Sequence, residues 1–383
     1  SGTSGNNTID LSNTTLTNVA RIEGGAGNDS ITGSAGDDTI VGGTGNDNLR
    51  GGDGNDTFLV EGNGQGADRY NGGAGRDKIQ GTDGDQTVVV SHLTAGDSIE
   101  EIDLGSGTNV LSGTSGNNTI DLSNTTLTNV ARIEGGAGND SITGSAGDDT
   151  IVGGTGNDNL RGGDGNDTFI VEGQDQGADR FSGGAGTDRI LGGDGDDTIT
   201  VSHLTRGDSI EQIDGGAGVN ILSGTSGNNT IDLSNTTLTN IGRIDAGAGN
   251  DTLIGSDDDD ILLGGLGNDR LTGGGGDDSF TFSLSMNASG NIEAQGKDTI
   301  MDFDSGDRLV FEDILGDLGG AADPLAALDS LGGVTVVDGG AGRDVSIQFE
   351  NGDSITLRGL GTADHSLDSL TDLNDNGIHI DVF

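Results

Sequence analysis

"GGAGNDSITGSAGDDTIVGGTGNDNLRGGDGNDTFLV" (residues 24–60) decides the fold of this chain. Cut into nines, residues 24–32, 33–41, 42–50 and 51–59 each read as a glycine-rich loop, an Asp at position six and an apolar residue at position eight. The acids are Asp29, Asp38, Asp47 and Asp56; the apolar residues are Ile31, Ile40, Leu49 and Phe58. The triplet around each apolar residue is enough for one short strand with a single inward side chain. The other six residues make a turn, because Gly reaches backbone conformations closed to other residues. Two nonads then close one coil of about eighteen residues with two short parallel strands. Stacking the coils gives a core one side chain thick and sets Asp29 over Asp47 and Asp38 over Asp56.

The same phase recurs along most of the chain. After an interruption at 60–62 it resumes at 63–71, 72–80 and 81–89 with Asp68, Asp77 and Gln86 at position six. The segment 135–200 repeats this with Asp140, Asp149, Asp158, Asp167, Asp179, Asp188 and Asp197, and 246–281 adds Asp251, Asp260, Asp269 and Asp278. Of eighteen nonads, seventeen carry Asp at position six; Gln86 is the exception. A longer period of 111 residues lies above the nonads, since "SGTSGNNTIDLSNTTLTN" starts at Ser1, Ser112 and Ser223. Residues 1–60 and 112–171 differ only at Leu59 against Ile170, so the duplication is recent and the full protein is expected to hold more copies. The domain reading is therefore unit one at 1–111, unit two at 112–222, a truncated unit three at 223–282 and a C-terminal region at 283–383. A quieter set of nonads has Asn at position six: Asn7, Asn109, Asn118, Asn220 and Asn229. Two spacers, 11–23 and 90–103, separate the blocks. They read as wider coils without metal, as flexible joints, or as a ligand-binding bulge.

From Ser283 the phase is lost. Residues 296–315 and 344–360 alternate like strands, and 322–331 suits a short helix with Pro324 near its first turn. This region is expected to cap the open end of the stack, which repeat arrays need.

Composition says that something other than a large core supplies the folding energy. Hydrophobic residues are 30% and aromatics 3%, while Gly numbers 77. A chain this polar does not bury enough apolar surface to offset its conformational entropy. The 64 acids against 16 bases give a net charge of −48. That excludes nucleic acid as a partner, since phosphate contacts need Lys and Arg, and disfavours anionic membrane surfaces. No apolar run approaches a membrane span, so no membrane insertion is expected. The chain begins at Ser1 without Met or a secretory leader and reads as a fragment or processed product.

Divalent cations are the natural partner. Stacked carboxylates repel unless a cation sits between them. Carboxylates plus carbonyls exposed by Gly turns suit a hard ion with about six to eight oxygen ligands, calcium rather than magnesium. With no Cys and four His, a transition-metal site is disfavoured. His92 and His203, at matching spacer positions, have no second His nearby in sequence and read as surface or packing residues. The run at 257–260 extends a loop already in phase and reads as an enriched ion loop.

"GGAGNDSIT", "GGTGNDNLR" and "GGDGNDTFL" resemble the RTX repeat G-G-x-G-x-D-x-U-x of type I secreted bacterial proteins. The resemblance implies an all-β fold, a parallel β-roll or β-solenoid of nonapeptide repeats with multiple Ca²⁺ ions in the turns, plus a β-rich C-terminal cap. It implies side-chain ligands at the position-six Asp residues, Asp29 through Asp278. It also implies backbone carbonyl ligands at loop positions one and three. In the first block these are Gly24, Ala26, Gly33, Ala35, Gly42, Thr44, Gly51 and Asp53. In the second they are Gly135, Ala137, Gly144, Ala146, Gly153, Thr155, Gly162 and Asp164, and in the third Gly264 and Leu266. Gln86 and the Asn nonads depart from the motif, which leaves calcium there open. "DTIMDFDSGDRL" resembles the strand that follows such rolls, and the terminal "DVF" resembles their uncleaved export signal.

No nucleophile–base pair, H-E-x-x-H or catalytic carboxylate pair stands outside the loops, so no enzyme activity is expected of this chain. The expected function is a secreted calcium-binding array, exported by a type I apparatus of a Gram-negative bacterium. Outside the cell it folds on calcium and serves as a structural or adhesive module, with itself or a cell-surface component as partner. The alternative is the C-terminal tail of a secreted protease, lipase or polysaccharide epimerase whose catalytic domain lies elsewhere. Ice binding is disfavoured, because position three reads Ala26, Ala35, Thr44, Asp53, too irregular for a lattice match.

Overall fold

The structure is a computed structural model and describes residues 1–174, 176–286, 292–314, 322–330, 334–362 and 366–383. It divides into two compact units, Ser1–Leu191 with Asp208–Ile210, and Gly192–Gly207 with Glu211–Phe383. Both are β-solenoids of short parallel strands.

In the first unit the nonad triplets form the strands. Ser30–Thr32, Asn48–Asp53 and Ala67–Ala74 follow one another on a first sheet; Ile22–Ala26, Thr39–Thr44 and Thr57–Leu59 follow one another on a second. Register confirms the coil length, since Ile31 pairs with Leu49 and Ile22 with Ile40, eighteen residues on. Where residues 60–62 intervene the step grows to 21, pairing Leu49 with Tyr70 and Phe58 with Ile79. Position-eight side chains are sealed inside: Ile31, Ile40, Phe58 and Ile79 have no exposed surface. Phe58 meets Tyr70 edge-on at 5.5 Å, and Phe169 meets Phe181 in the same way.

The spacer 90–103 is a wider coil. Its Leu93, Ile99 and Ile102 are buried, and Ile102 continues the second sheet by pairing with Ile79. The next turn carries three strands, Val110–Ser112, Thr119–Asp121 and Thr126–Thr128, each in a different sheet. The second sheet ends there in this unit, and Thr119–Asp121 starts a third that continues through Ser141–Thr143, Asn159–Asp164 and Asp179–Ala185. The spacer and Asn nonads thus make three-sided turns that move the two-sided roll onto a new face. The second unit repeats the device with Asn220–Ser223, Thr230–Asp232 and Thr237–Thr239.

Coil stacking continues beyond the last nonad. Lys297–Ile300 pairs parallel with Arg270–Thr272, and Arg308–Glu312 with Ser279–Ser283. Ser354–Leu357 and His379–Val382 then add one further strand to each face. Antiparallel strands Val345–Phe349 and Val334–Asp338 close one edge. The helix expected near Pro324 spans Pro324–Ser330; Leu315 and Leu331 lie outside the described residues. A second helix, Leu370–Asp375, has Ser369 as its N-cap, accepting from Asp372 N at 3.0 Å. The terminal "DVF" belongs to the last strand, where Phe383 N donates to the Phe311 carbonyl at 2.7 Å.

Candidate metal sites

Along each row a position-six residue donates its backbone N–H to the position-six carboxylate of the next coil. The backbone N–H of Asp29 donates to Asp47 Oδ1 at 2.7 Å, and that of Asp47 to Asp68 Oδ1 at 2.9 Å. On the facing turns Asp38 donates to Asp56 Oδ1 at 2.8 Å and Asp56 to Asp77 Oδ1 at 2.7 Å. The second block repeats the rows Asp140–Asp158–Asp179 and Asp149–Asp167–Asp188, and the third repeats Asp251–Asp269 and Asp260–Asp278. Position five makes an outer ladder of the same kind: Asn46 N donates to Asn28 Oδ1 at 3.0 Å and Asp277 N to Asp259 Oδ1 at 2.7 Å. Sequence reading missed that ladder, although its signal, an Asn or Asp before each position-six residue, stands in most of the nonads.

What remains is the second oxygen, and position two of the loop decides its fate. In most loops where position two is Gly in the left-handed region, Oδ2 is left buried without a hydrogen-bond partner; Asp68, behind Gly64, instead accepts from the Tyr70 hydroxyl at 3.2 Å. The unpartnered oxygens belong to Asp29, Asp47, Asp56, Asp77, Asp140, Asp158, Asp167, Asp251 and Asp269. Gly43, with φ of 99°, shows why only Gly serves: a Cβ there would strike the Gly25 carbonyl. Where position two has an ordinary backbone, the loop closes on its own acid. Ser145 donates from N and Oγ to Asp149 Oδ2 at 2.6 and 2.9 Å, and Ser256 does the same to Asp260 at 2.6 and 3.0 Å. Ser34 N donates to Asp38 and Gly193 N to Asp197, each at 2.6 Å. The 257–260 loop is therefore of the closed kind.

The open loops also gather carbonyl oxygens. A Cβ on Gly24 would fall between Asp29 Oδ2 and the Gly42 carbonyl oxygen; on Gly135, between Asp140 Oδ2 and the Gly153 carbonyl. Gly51 and Gly162 repeat this with Asp56 and Gly72, and with Asp167 and Gly183. Position one of each such loop thus stands against a carboxylate and a carbonyl of the next coil. Gly264 likewise packs on Asp269 Oδ2. Position-three carbonyls bridge coils: those of Thr44, Thr155 and Leu266 accept from Gly27, Gly138 and Gly249 N–H at 2.7–2.8 Å, leaving a second lone pair on each.

Burial penalises the charged form more than the backbone hydrogen bonds favour it. It pushes Asp56 up to about 6, with the charges of Asp77 and Asp38 adding, and Asp158 and Asp269 to about 6. Asp68, Asp167, Asp179 and Asp278 rise to about 7 for the same reason.

The Asn positions solve the same problem with a neutral amide. Asn109 accepts from Gln86 N at 3.0 Å and donates its Nδ2 to the carbonyls of Gly105 at 3.0 Å and Asn129 at 2.9 Å. Asn118 and Asn229 accept from Thr114 N and Thr225 N and donate to the carbonyls of Ser91 and Ser202. Asn220 accepts from Asp197 N and donates to Asn240. At Asn109 and Asn220 an NH₂ therefore occupies the carbonyl cluster that an open loop leaves without a donor, whereas Asn118 and Asn229 turn Oδ1 toward the Gly135 and Ala246 carbonyls. Asn109→Asp removes both donors and places a charge where the residue has no exposed surface. It is expected to cost about 2–5 kcal/mol of stability, read from denaturant melts.

Some position-six equivalents were not legible as nonads. Asp269 N donates to Asp298 Oδ1 and Asp278 N to Asp307 Oδ1, both at 2.9 Å. Their signal is the surviving Asp-x-apolar triplet in "DTI" and "DRL". Likewise Asp77 N donates to Glu100 Oε2 at 2.7 Å, from within a spacer. His92 and His203 end the strands Thr87–His92 and Thr198–His203.

A family model for the RTX calcium-binding nonapeptide repeat (four copies) matches residues 21–59, 63–88, 96–124, 134–169, 174–201, 207–235 and 243–281, more than half of the chain. The chain belongs to the RTX calcium-binding repeat family. RTX repeats imply calcium in the turns of this roll, and the donor set fits. Among the described residues no three acidic or imidazole side chains converge on one point. What converges is carboxylate with backbone carbonyl, an oxygen-only set for a hard cation. The open RTX loops would hold the ion through the free Oδ2 of residues such as Asp29, Asp56, Asp140 and Asp167, with the Gly42, Gly72, Gly153 and Gly183 carbonyls. Among solved structures, the extracellular lipase LipA from Serratia marcescens is similar at 20% identity and a TM-score of 0.19, covering 68% of this chain. The chain spans 44% of that lipase chain. No curated protein matches this RTX chain.

Proposed function

We propose that this RTX chain is a non-enzymatic extracellular module that folds on calcium after type I secretion and serves as a structural or adhesive surface or fibre element. The observation that carries the reading is the 111-residue duplication seen as structure. Thr39–Thr44 and Asn48–Asp53 recur as Thr150–Thr155 and Asn159–Asp164, with the same loops open and the same loops closed. Coils in a solenoid touch only their neighbours, so duplicating a unit adds length and little else. Added length is useful to a fibre or a surface layer. Among the described residues no helix is long and apolar enough to cross a membrane.

The chain's own residues make folding conditional. Asp29, Asp47 and their equivalents bury carboxylate oxygens that nothing in the protein satisfies. Bound calcium supplies positive charge to those oxygens and cross-links adjacent coils. In a low-calcium cytoplasm the loops repel, which suits threading through an export channel; at millimolar calcium outside, the coils close. The expected result is calcium-dependent assembly of the purified chain into filaments or sheets under the electron microscope. Monodisperse particles at the same protein concentration and millimolar calcium would overturn the structural reading.

A further inference from the structure

We propose that Asp77, Glu100 and the Ser98 carbonyl form a calcium site that the nonapeptide motif does not encode. It rests on the calcium reading of the open RTX loops above. The row Asp38, Asp56, Asp77 runs out of nonads at the spacer 90–103. The spacer nevertheless enters the stack in nonad register: Lys78 pairs with Glu101, Ile79 with Ile102 and Gln80 with Asp103. Ile102 therefore stands at position eight, and Glu100, two residues earlier, stands at position six.

The hydrogen bond made there is the one the motif makes. Asp77 N donates to Glu100 Oε2 at 2.7 Å, as Asp56 N does to Asp77 Oδ1 at 2.7 Å. The carbonyl is replaced too. A Cβ on Gly72 would strike Asp77 Oδ2 and the Ser98 carbonyl oxygen, just as one on Gly51 would strike Asp56 Oδ2 and the Gly72 carbonyl. Ser98 holds its carbonyl there by sitting in the left-handed region at φ of 52°, uncommon for a residue with a Cβ. It follows the short turn Ala95–Asp97, fixed by Thr94 N and Oγ1 donating to Asp97 Oδ2 at 2.8 and 2.9 Å. Ser209, at φ of 50°, repeats the arrangement with its carbonyl against Gly183 beside Asp188.

Asp77 supplies the evidence for a ligand. Its side chain has no exposed surface, and its Oδ2, aimed at Gly72 and the Ser98 carbonyl, has no hydrogen-bond partner. Asp77 Oδ2 thus stands beside the Ser98 carbonyl oxygen with no donor of its own, while the Glu100 carboxylate of the adjoining turn takes the Asp77 N–H and adds a second negative charge. A cation resolves this. The site would close the ion row at the turn where the roll moves from its second sheet to its third.

The test counts calcium on the full chain, stripped of metal and titrated with calcium chloride, by equilibrium dialysis with atomic absorption. Glu100→Gln keeps an oxygen to accept the Asp77 N–H but removes the charge. It is expected to bind one ion fewer per chain than the wild type, with an unchanged β spectrum in saturating calcium. Glu101→Gln, at the neighbouring residue paired with Arg76, is expected to lose none. An unchanged count in Glu100→Gln, or an equal loss in Glu101→Gln, would overturn this site and leave the RTX reading intact. No calcium on the wild type would instead overturn the RTX reading itself. If Glu100→Gln does not fold, anomalous diffraction from wild-type crystals grown in calcium decides: a peak between Asp77 and Glu100 supports the site. Peaks at the Asp29–Asp47 loops without one there refute it.

Discussion

Chelating calcium from the intact chain is expected to abolish most of its β-sheet circular dichroism, and restoring millimolar calcium to recover it. The cause lies in how little else holds the coils. The core is one side chain thick, and hydrophobic residues are 30% of the chain against a net charge of −48. The carboxylates are stacked coil on coil, linked by bonds such as Asp29 N to Asp47 Oδ1 at 2.7 Å. Coils stack at the strand spacing of about 4.8 Å, and two like charges that far apart repel by about 3.5 kcal/mol at an effective dielectric of 20, a term that recurs from coil to coil. Folded domains are stable by only about 5–15 kcal/mol, so the rows outweigh the core unless a cation intervenes. Metal binding and folding then become one transition, with midpoints of about 10⁻⁴–10⁻³ M expected for extracellular sites. A β-rich spectrum unchanged in chelator would refute this.

Acid is expected to replace calcium in part. In the folded roll, burial raises Asp56, Asp158 and Asp269 to about 6, and Asp68, Asp167, Asp179, Asp278 and Asp298 to about 7, from an ordinary 3.8. Between pH 3.8 and about 7 the folded state therefore binds more protons than the unfolded chain. The stabilisation is complete below 3.8 and is lost as pH rises through about 7. A metal-free sample should gain β signal on acidification from pH 8 to about 4.5. The calcium-loaded sample should respond with the opposite sign, because protons compete for the same oxygens and weaken calcium binding as pH falls. Paired pH titrations by circular dichroism check both. Metal-free protein that stays unfolded throughout the descent would show that the buried carboxylates do not govern folding.

Much of the candidate site could be read before any coordinates. Position six of the nonad is where the carboxylates stand, and the stacking of Asp29 on Asp47 and Asp38 on Asp56 followed from a coil of two nonads. The reading treated all position-six acids alike, and the structure does not. Asp47 has a free buried oxygen and Asp149 has none, because Gly43 turns its N–H away and Ser145 turns its own inward. That difference is written at position two, as Gly or Ser, but its meaning depends on φ.

The repeat by itself determined the roll, its coil length, its thin core and the rows of acids. Each of these follows from local spacing copied many times, so neighbouring coils have to agree. Only the tertiary structure decided where the rows start and stop. Glu100 and Asp298 join them from outside the motif, and Asn109 closes its turn with an amide donor. It also showed that the turn after the spacer 90–103 is three-sided and shifts the roll to a new sheet. Those outcomes rest on hydrogen bonds between residues some 20 to 30 positions apart, such as Asp77 to Glu100 and Asp269 to Asp298. A nine-residue period does not encode contacts that the next coil alone completes.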